Sequence, residues 1–500
     1  MKLNVLIYLV LSLMLAVSCN LIKGKKGGKS STTGWSYNDP KNGGFEYKSG
    51  YQQPTGPGLV YIQGGTFTMG RVEQDVIYEA NNTPRRVTVA SFYMDECEVR
   101  NIDWREYLFW LQRVYPGKDS IYKAALPDTL VWRRDELAFN EPYFENYLRH
   151  AAYSEYPVVG VSWIKADRYC QWRTDRANEA ILVDEQILGQ DKTQKNDSVF
   201  TYDAYLNGLY SDTVRKGKRP MKSLADPKVL RRVNLSDGIL LPRYQIPTEA
   251  QWEYAALGLI GKTEEEVVLE RRIYPWDGNQ IRNSSKKMRG SMMANNVRGR
   301  GDYMGTAGFL NDAHEITADV KSFEPNDYGL YCMAGNVNEW VKDVYRPNSS
   351  MDVNEFLPFR GNVYTNYRID TLTGMPMKNI YGELIRDTAN IGANYINYGD
   401  GDYQTQLSDV DEWKQDTIVD NVNGKMVKKL RQRTTDMYAT GTGTSTPRIS
   451  DRTRVYKGGG WKDRTYWLGP GTRRPLDERK SSNDLGFRCA MTHLGDSNSR

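Results

Sequence analysis

The side chains that could carry chemistry are few: five cysteines and three histidines in 500 residues. Cys19 follows Ala16-Val17-Ser18. Small residues there let a peptidase approach, and the thiol can take a diacylglyceryl group. The other cysteines are Cys97, Cys170, Cys332 and Cys489. An exported chain meets an oxidising compartment, so bridges are open to them, and spacing alone does not choose among the pairings. His150, His314 and His493 show no metal-ligand spacing and follow no nucleophile motif. A Ser-His-Asp centre and a multi-histidine zinc site are thereby disfavoured. Asp463 stands near Arg464, Arg473 and Arg474. An ion pair is the simpler reading, because no second carboxylate at fixed spacing supports acid–base work. Gly399-Asp-Gly-Asp402 is weakly calcium-like and more simply a turn.

The elements around Cys19 define how such a chain would be held. An apolar run from Leu3 to Val17 is interrupted only by Asn4 and Ser12. It is shorter than the roughly 20 residues a spanning helix needs, so residues 1–18 read as an export signal. Residues 19–56 read as a lipidated, flexible tether, rich in Gly, Lys, Ser and Pro. Acyl chains on Cys19 would anchor it, each buried methylene adding about 0.8 kcal/mol. The tether lacks an acidic stretch, which points to the periplasmic face of an outer membrane.

A hydrophobic content of 39% is enough for a sizeable core. The net charge of +5 is small for this length, and the basic residues are scattered apart from the tether and Lys425–Arg433. Nucleic acid is therefore a poor partner. The 34 tyrosines and 12 tryptophans suit either interfaces or an aromatic-filled core.

From Pro57 the pattern is strand, glycine turn, strand, through Gly64-Gly65 to Gly70. Arg85–Val99 alternates as a further strand. Ile102–Val114 has helical spacing. Pro157–Trp163 reads as a buried strand leading into a helix, Lys165–Arg176, capped by Ser162. Residues 177–243 form a polar insertion. Thr248 caps a helix that presents Trp252, Ala255 and Ala256 on one face. Residues 346–453 form a second insertion, in which Thr417–Val422, Asn423-Gly424 and Lys425–Leu430 signal a hairpin. The main domain runs over 57–492, followed by a tail at 493–500.

Five blocks in order carry a resemblance: Gly64–Gly70; Val161-Ser-Trp163 through Tyr169-Cys170; Pro247-Thr-Glu-Ala-Gln-Trp-Glu253; Tyr328–Trp340; and Gly458-Gly459 through Gly486-Phe-Arg-Cys489. Together they resemble the formylglycine-generating-enzyme (sulfatase-modifying factor) family. The resemblance implies a mixed α+β fold related to C-type lectins, with short strands, many loops and two long insertions. It places Asp463 and Leu468 where the family has its two catalytic cysteines. Copper(I) needs soft thiolates, which neither residue supplies. No copper cofactor and no catalysis are therefore expected.

The same resemblance implies two calcium sites, at Asn296, Val297, Asp312 and His314, and at Cys332, Gly335, Val337 and Glu339, chiefly through oxygen ligands. It also implies a disulfide between Cys170 and Cys489. The lipidated start is similar to that of gliding-motility lipoproteins serving the type IX secretion system. The expected role is a non-catalytic structural component acting with other secretion and gliding proteins of the envelope. The alternatives are a periplasmic enzyme on the same scaffold and a calcium-dependent carbohydrate-binding module.

Overall fold

The computed structural model describes residues 28–71, 82–133, 140–210, 217–258, 272–297, 314–346, 358–389 and 452–495, together with Phe356 and short strands at 263–264, 267–268, 415–419 and 426–430. The expected export signal, Cys19, Asp312 and residues 399–402 lie outside the described residues.

Gly64 separates β1 (Leu59–Ile62) from β2 (Gly65–Met69), which buries Phe67 and Met69 on alternate positions. The alternating segment after Arg85 does not continue as one strand. It breaks at Ala90-Ser91 into β3 (Arg85–Val89) and β4 (Phe92–Asp95). β3 pairs back on β2, whereas β4 pairs with β1. The two halves thus serve different sheets.

α1 (Asn101–Val114) buries Trp104, Tyr107, Leu108, Leu111 and Val114, the stripe that its spacing predicts. Pro157–Trp163 is not a strand. Pro157 makes a single bridge with Arg100, and Gly160 turns the backbone left-handed at φ 76°. Val158 and Val161 are nonetheless fully buried. α2 (Trp163–Asp184) runs past Arg176 because Leu182 joins a separate apolar cluster with Leu188, Phe200, Tyr205 and Val233. The first insertion therefore has its own small core. Ser162 precedes α2 with extended backbone but makes no side-chain cap bond.

After β5 (Tyr244–Gln245) comes α3 (Glu249–Leu257), which Thr248 caps as expected by accepting from the Gln251 amide. The remaining framework strands are β6 (Asn338–Val344), β7 (Thr453–Lys457), β8 (Arg474–Asp477), β9 (Leu485–Gly486) and β10 (Ala490–Thr492). One sheet has the order β1-β4-β10-β5, all antiparallel. The other has the order β8-β7-β6-β9, with β9 parallel to β6. In the second insertion, Gln415–Val419 and Met426–Leu430 pair antiparallel, so the expected hairpin is present, but Val419 faces Met426, which is not the register of a two-residue turn at Asn423-Gly424.

Rings fill the main core. Trp104 stacks on Tyr169 at 5.3 Å and meets Phe487 edge-on, and Trp340 of β6 lies in the same cluster. A second cluster packs α3 against the β2–β3 hairpin through Trp252, Phe67 and Val87. This is a mixed α+β architecture of short strands and long loops.

Candidate functional site

β7 is followed by Gly458 and Gly459, with φ of 99° and 70°. A Cβ on Gly458 would lie 3.1 Å from the Trp252 ring, and one on Gly459 would lie 3.0 Å from the Trp467 backbone. Glycine thus permits both the left-handed turn and the close approach. The chain then makes a tight loop. The Trp461 amide donates to the Asn336 carbonyl at 2.7 Å, Thr465–Leu468 forms a 3-10 turn, and β8 returns alongside β7.

Asp463 sits at the bend of this loop. Its Oδ1 accepts from Arg474 Nη1 at 2.8 Å, and its Oδ2 accepts from Arg474 Nη2 at 2.6 Å. Oδ2 also accepts from Asn338 Nδ2 and from the Gly460 amide, each at 2.8 Å. Arg474 stacks over Trp467 and Tyr456 at 4.4 and 4.8 Å. Burial acts to raise the Asp463 pKa, but the hydrogen bonds and charge of Arg474 outweigh it and hold the carboxyl below its usual range. The group is a saturated carboxylate, weak as a base and already deprotonated as an acid. The predicted ion pair is therefore present with Arg474. Arg473, next along the chain, instead pairs with buried Glu249 at 2.7 Å. Leu468 is fully buried with Ala294 and Ala334, beneath Tyr274 and Trp276. It offers hydrocarbon and no electron pair.

Glu339 differs from its expected role. Arg488 grips it twice, Nη2 to Oε1 at 2.6 Å and Nε to Oε2 at 2.7 Å. Trp252 Nε1 donates to Oε2 at 2.8 Å. Both oxygens are committed to protein donors, so the donor set at Cys332, Gly335, Val337 and Glu339 does not fit calcium as it stands. Cys332 has φ 52°, and its thiol donates to the Val320 carbonyl at 3.4 Å. Burial pushes that thiol well above its usual pKa.

Glu98, which sequence reasoning missed, is buried beside this pair. Asn336 Nδ2 donates to its Oε1 at 3.0 Å, and its Oε2 has no hydrogen-bond partner. Burial, opposed by Arg488 and reinforced by Glu339, pushes its pKa up to about 8. The surrounding Asp95-Glu-Cys-Glu-Val-Arg100 is rich in charge, so no local pattern marks Glu98 as the buried one.

The first implied calcium site fits better. Asn296 is fully buried, and its Oδ1 has no protein donor. The Val297 amide donates to the Asp463 carbonyl at 2.9 Å, tying this loop to the Asp463 bend. Burial lowers the pKa of His314, keeping its imidazole neutral. A hard cation there would take the Asn296 oxygen together with backbone carbonyls. Among the described residues, no group of three His, Cys, Asp or Glu side chains is placed for a metal ion.

Cys170 and Cys489 are both buried, with sulfurs 3.4 Å apart as two thiols. Their bridge would need about 2.05 Å, a small further approach. Cys97 is half-buried, and burial with Glu98 and Asp95 pushes its thiol up to about 12.

Within the expected tether, residues beyond Gly28 make defined contacts. Glu46 accepts from Arg231 Nε at 3.0 Å, and Gln53 Nε2 donates to the Thr492 carbonyl at 3.0 Å.

With this geometry in place, comparison with known proteins is direct. Residues 46–384 match the sulfatase-modifying factor enzyme 1-like domain, so the chain belongs to that family. It is 38% identical over 297 residues to a formylglycine-generating enzyme of Thermomonospora curvata, covering 58% of this chain and 73% of the relative. It is 24% identical over 312 residues to the mouse formylglycine-generating enzyme, covering 59% of this chain and 60% of the relative. It is also 24% identical over 305 residues to the bovine inactive C-alpha-formylglycine-generating enzyme 2, covering 58% and 71%. The chain thus spans about three fifths of the mouse relative's length.

Proposed function

We propose that this protein is a non-catalytic lipoprotein of the outer membrane, held on its periplasmic face by acyl chains on Cys19. It acts as a structural component of the type IX secretion and gliding machinery, through assembly with other envelope proteins. The observation that carries the non-catalytic part is the closed carboxylate–guanidinium pair of Asp463 and Arg474, with Leu468 buried nearby. Neither Asp463 nor Leu468 offers that corner a nucleophile, a free base or a soft metal ligand. The bovine relative named as inactive makes a catalysis-free member of this family a familiar outcome.

The particular role rests on sequence resemblance. Gly34-Trp-Ser-Tyr-Asn-Asp39, Gly43-Gly-Phe-Glu46 and Gly64–Asp75, followed by Asn82-Thr-Pro-Arg85, resemble the gliding-motility lipoprotein GldJ, with GldK/PorK as its close sister. Among the described residues no helix is long and apolar enough to cross a membrane, and a lipid on Cys19 would supply the attachment.

Affinity purification from cross-linked, detergent-solubilised envelopes tests the assembly role. Co-recovery of secretion-system components is expected, and recovery without any of them would overturn it. Cys19→Ala should release the protein from membranes. Turnover of a thiol-bearing peptide to its aldehyde by the purified protein would refute the non-catalytic reading.

A further inference from the structure

Rings that most of the chain buries come to the surface soon after Cys19. Among the described residues Trp35 is the only exposed tryptophan, at 55%, and Phe45 and Tyr47 follow at 58% and 47%. They gather around one ring. The Tyr37 centroid lies 5.8 Å from that of Phe45 and 5.0 Å from that of Tyr47, and Trp35 stands two residues before it.

The segment that carries them is folded. Asn38 clamps Tyr47, its Oδ1 accepting from the Tyr47 amide at 2.7 Å and its Nδ2 donating to the Tyr47 carbonyl at 2.9 Å. The Asn38 amide donates to the Phe45 carbonyl at 3.0 Å. Glu46, between the two exposed rings, turns to the first insertion and accepts from Arg231 Nε at 3.0 Å. Lys48 Nζ donates to the Gly238 carbonyl at 3.2 Å. Glu46 thus fastens the segment to the insertion while the rings on either side of it stay in solvent. Both acids of the segment are tied to protein donors, since Asp39 accepts from the Lys41 amide at 3.0 Å. Lys29, Lys41 and Lys48 are exposed.

The length of chain back to Cys19 says what covers these rings. Residues 19–28 reach no more than about 35 Å fully extended. A glycine-rich coil of that length averages about 17 Å end to end. Acyl chains on Cys19 therefore keep the rings within a short distance of the lipid headgroups. A short flexible link gives a local concentration of order millimolar, so even a weak surface contact is occupied. Trp and Tyr suit that boundary, with an apolar ring and a polar edge, and lysines favour anionic lipid.

We propose that Trp35, Tyr37, Phe45 and Tyr47 form a second membrane contact, which seats the folded domain against the phospholipid surface that holds the Cys19 acyl chains. This rests on the lipid-anchor reading and adds an orientation to it. The anchor alone would let the domain swing, whereas the ring contact turns the first insertion toward the membrane.

The test uses the whole mature chain, residues 19–500, with Cys19→Ala so that it carries no lipid. It is titrated with vesicles of phosphatidylethanolamine and phosphatidylglycerol whose acyl chains are partly brominated, because bromine quenches tryptophan on contact. Saturable quenching at lipid concentrations of order millimolar is expected. Adding Trp35→Phe should remove most of it. Adding Phe45→Ser and Tyr47→Ser instead should weaken the apparent affinity about tenfold, with unchanged circular dichroism. No saturable quenching, equal quenching of the Trp35→Phe chain, or an unaffected double variant each overturns the contact. So does a double variant that still binds vesicles but, when made with Cys19 intact, no longer co-recovers envelope proteins, because the rings then serve a protein partner. Mass spectrometry of the wild-type N-terminal peptide bears on the anchor separately. An absent acyl chain there removes the anchor and the tether argument with it, whereas failed quenching with the acyl chain present removes the ring contact and leaves the anchor standing.

Discussion

Two bidentate arginine–carboxylate pairs sit on the same sheet and do different work. Arg488 and Glu339 are completely buried, with side-chain exposures of 0% and 0%, and Arg488 also donates to the Asp95 and Tyr331 carbonyls. Arg474 and Asp463 lie nearer the surface, at 17% and 11%, with the guanidinium close to two rings. The inner pair joins the two sheets, because β6 carries the carboxylate and the guanidinium sits between β9 and β10. The outer pair closes the loop between β7 and β8. The contrast separates a charge pair that ties two sheets together from one that pins a single loop at the surface.

The largest expected effect breaks the inner pair. Arg488→Met leaves Glu339 and Glu98 buried without their cation and should cost about 3–5 kcal/mol in urea denaturation. Adding Glu339→Gln should recover part of that. A single-variant loss under about 1 kcal/mol would mean the pair is not what joins the sheets.

Next is Glu98. Its pKa in the folded protein, about 8, lies above the ordinary 4.5. Between those values the native state keeps a proton that the unfolded chain has released. Its contribution is thus present at low pH, is lost as pH rises through that window, and levels off above it. Glu98→Gln should flatten this slope and raise stability near pH 8 by about 1–3 kcal/mol. Denaturation midpoints at about pH 5, 7 and 9 check it, and an unchanged slope would assign the effect elsewhere.

Arg474→Ala should cost less, about 1–2 kcal/mol, since water can reach the freed carboxylate. The Asp463 pKa is lowered, so the pair's contribution is present above the ordinary carboxylate pKa and is lost as pH falls through the folded value. The variant's deficit should therefore shrink on acidification. The smallest effect belongs to the exposed Arg368–Asp387 pair, at 50% and 49% exposure. Arg368→Ala should leave the unfolding midpoint unmoved within error.

How far the sequence could be read follows the range of each interaction. The Thr248 cap, the stripe of Asn101–Val114 and the pairing of the two strands around Asn423-Gly424, though not their register, were legible because each is decided within a few residues. The ion pair of Asp463 was legible because Arg474 is eleven residues away. The grip of Arg488 on Glu339 was not legible because the two lie 149 residues apart, where no local pattern announces the pair. Pro157–Trp163 failed for a different reason. Its apolar run reports burial, but Gly160 bends the backbone and leaves no partner strand alongside. The end of α2 was missed because the insertion's own apolar cluster extends the helix beyond Arg176.

The place of β10 bears on how the molecule is made. It lies between β4 and β5, and the Cys489 amide reaches back 394 residues to the Asp95 carboxylate. A chain emerging N-terminus first leaves β4 and β5 with a gap until residues 490–492 arrive. Contacts this distant in sequence form slowly, because loop closure precedes any gain. The sheet is thus completed last at the seam between β4 and β5, and the domain locks only when β10 fills it.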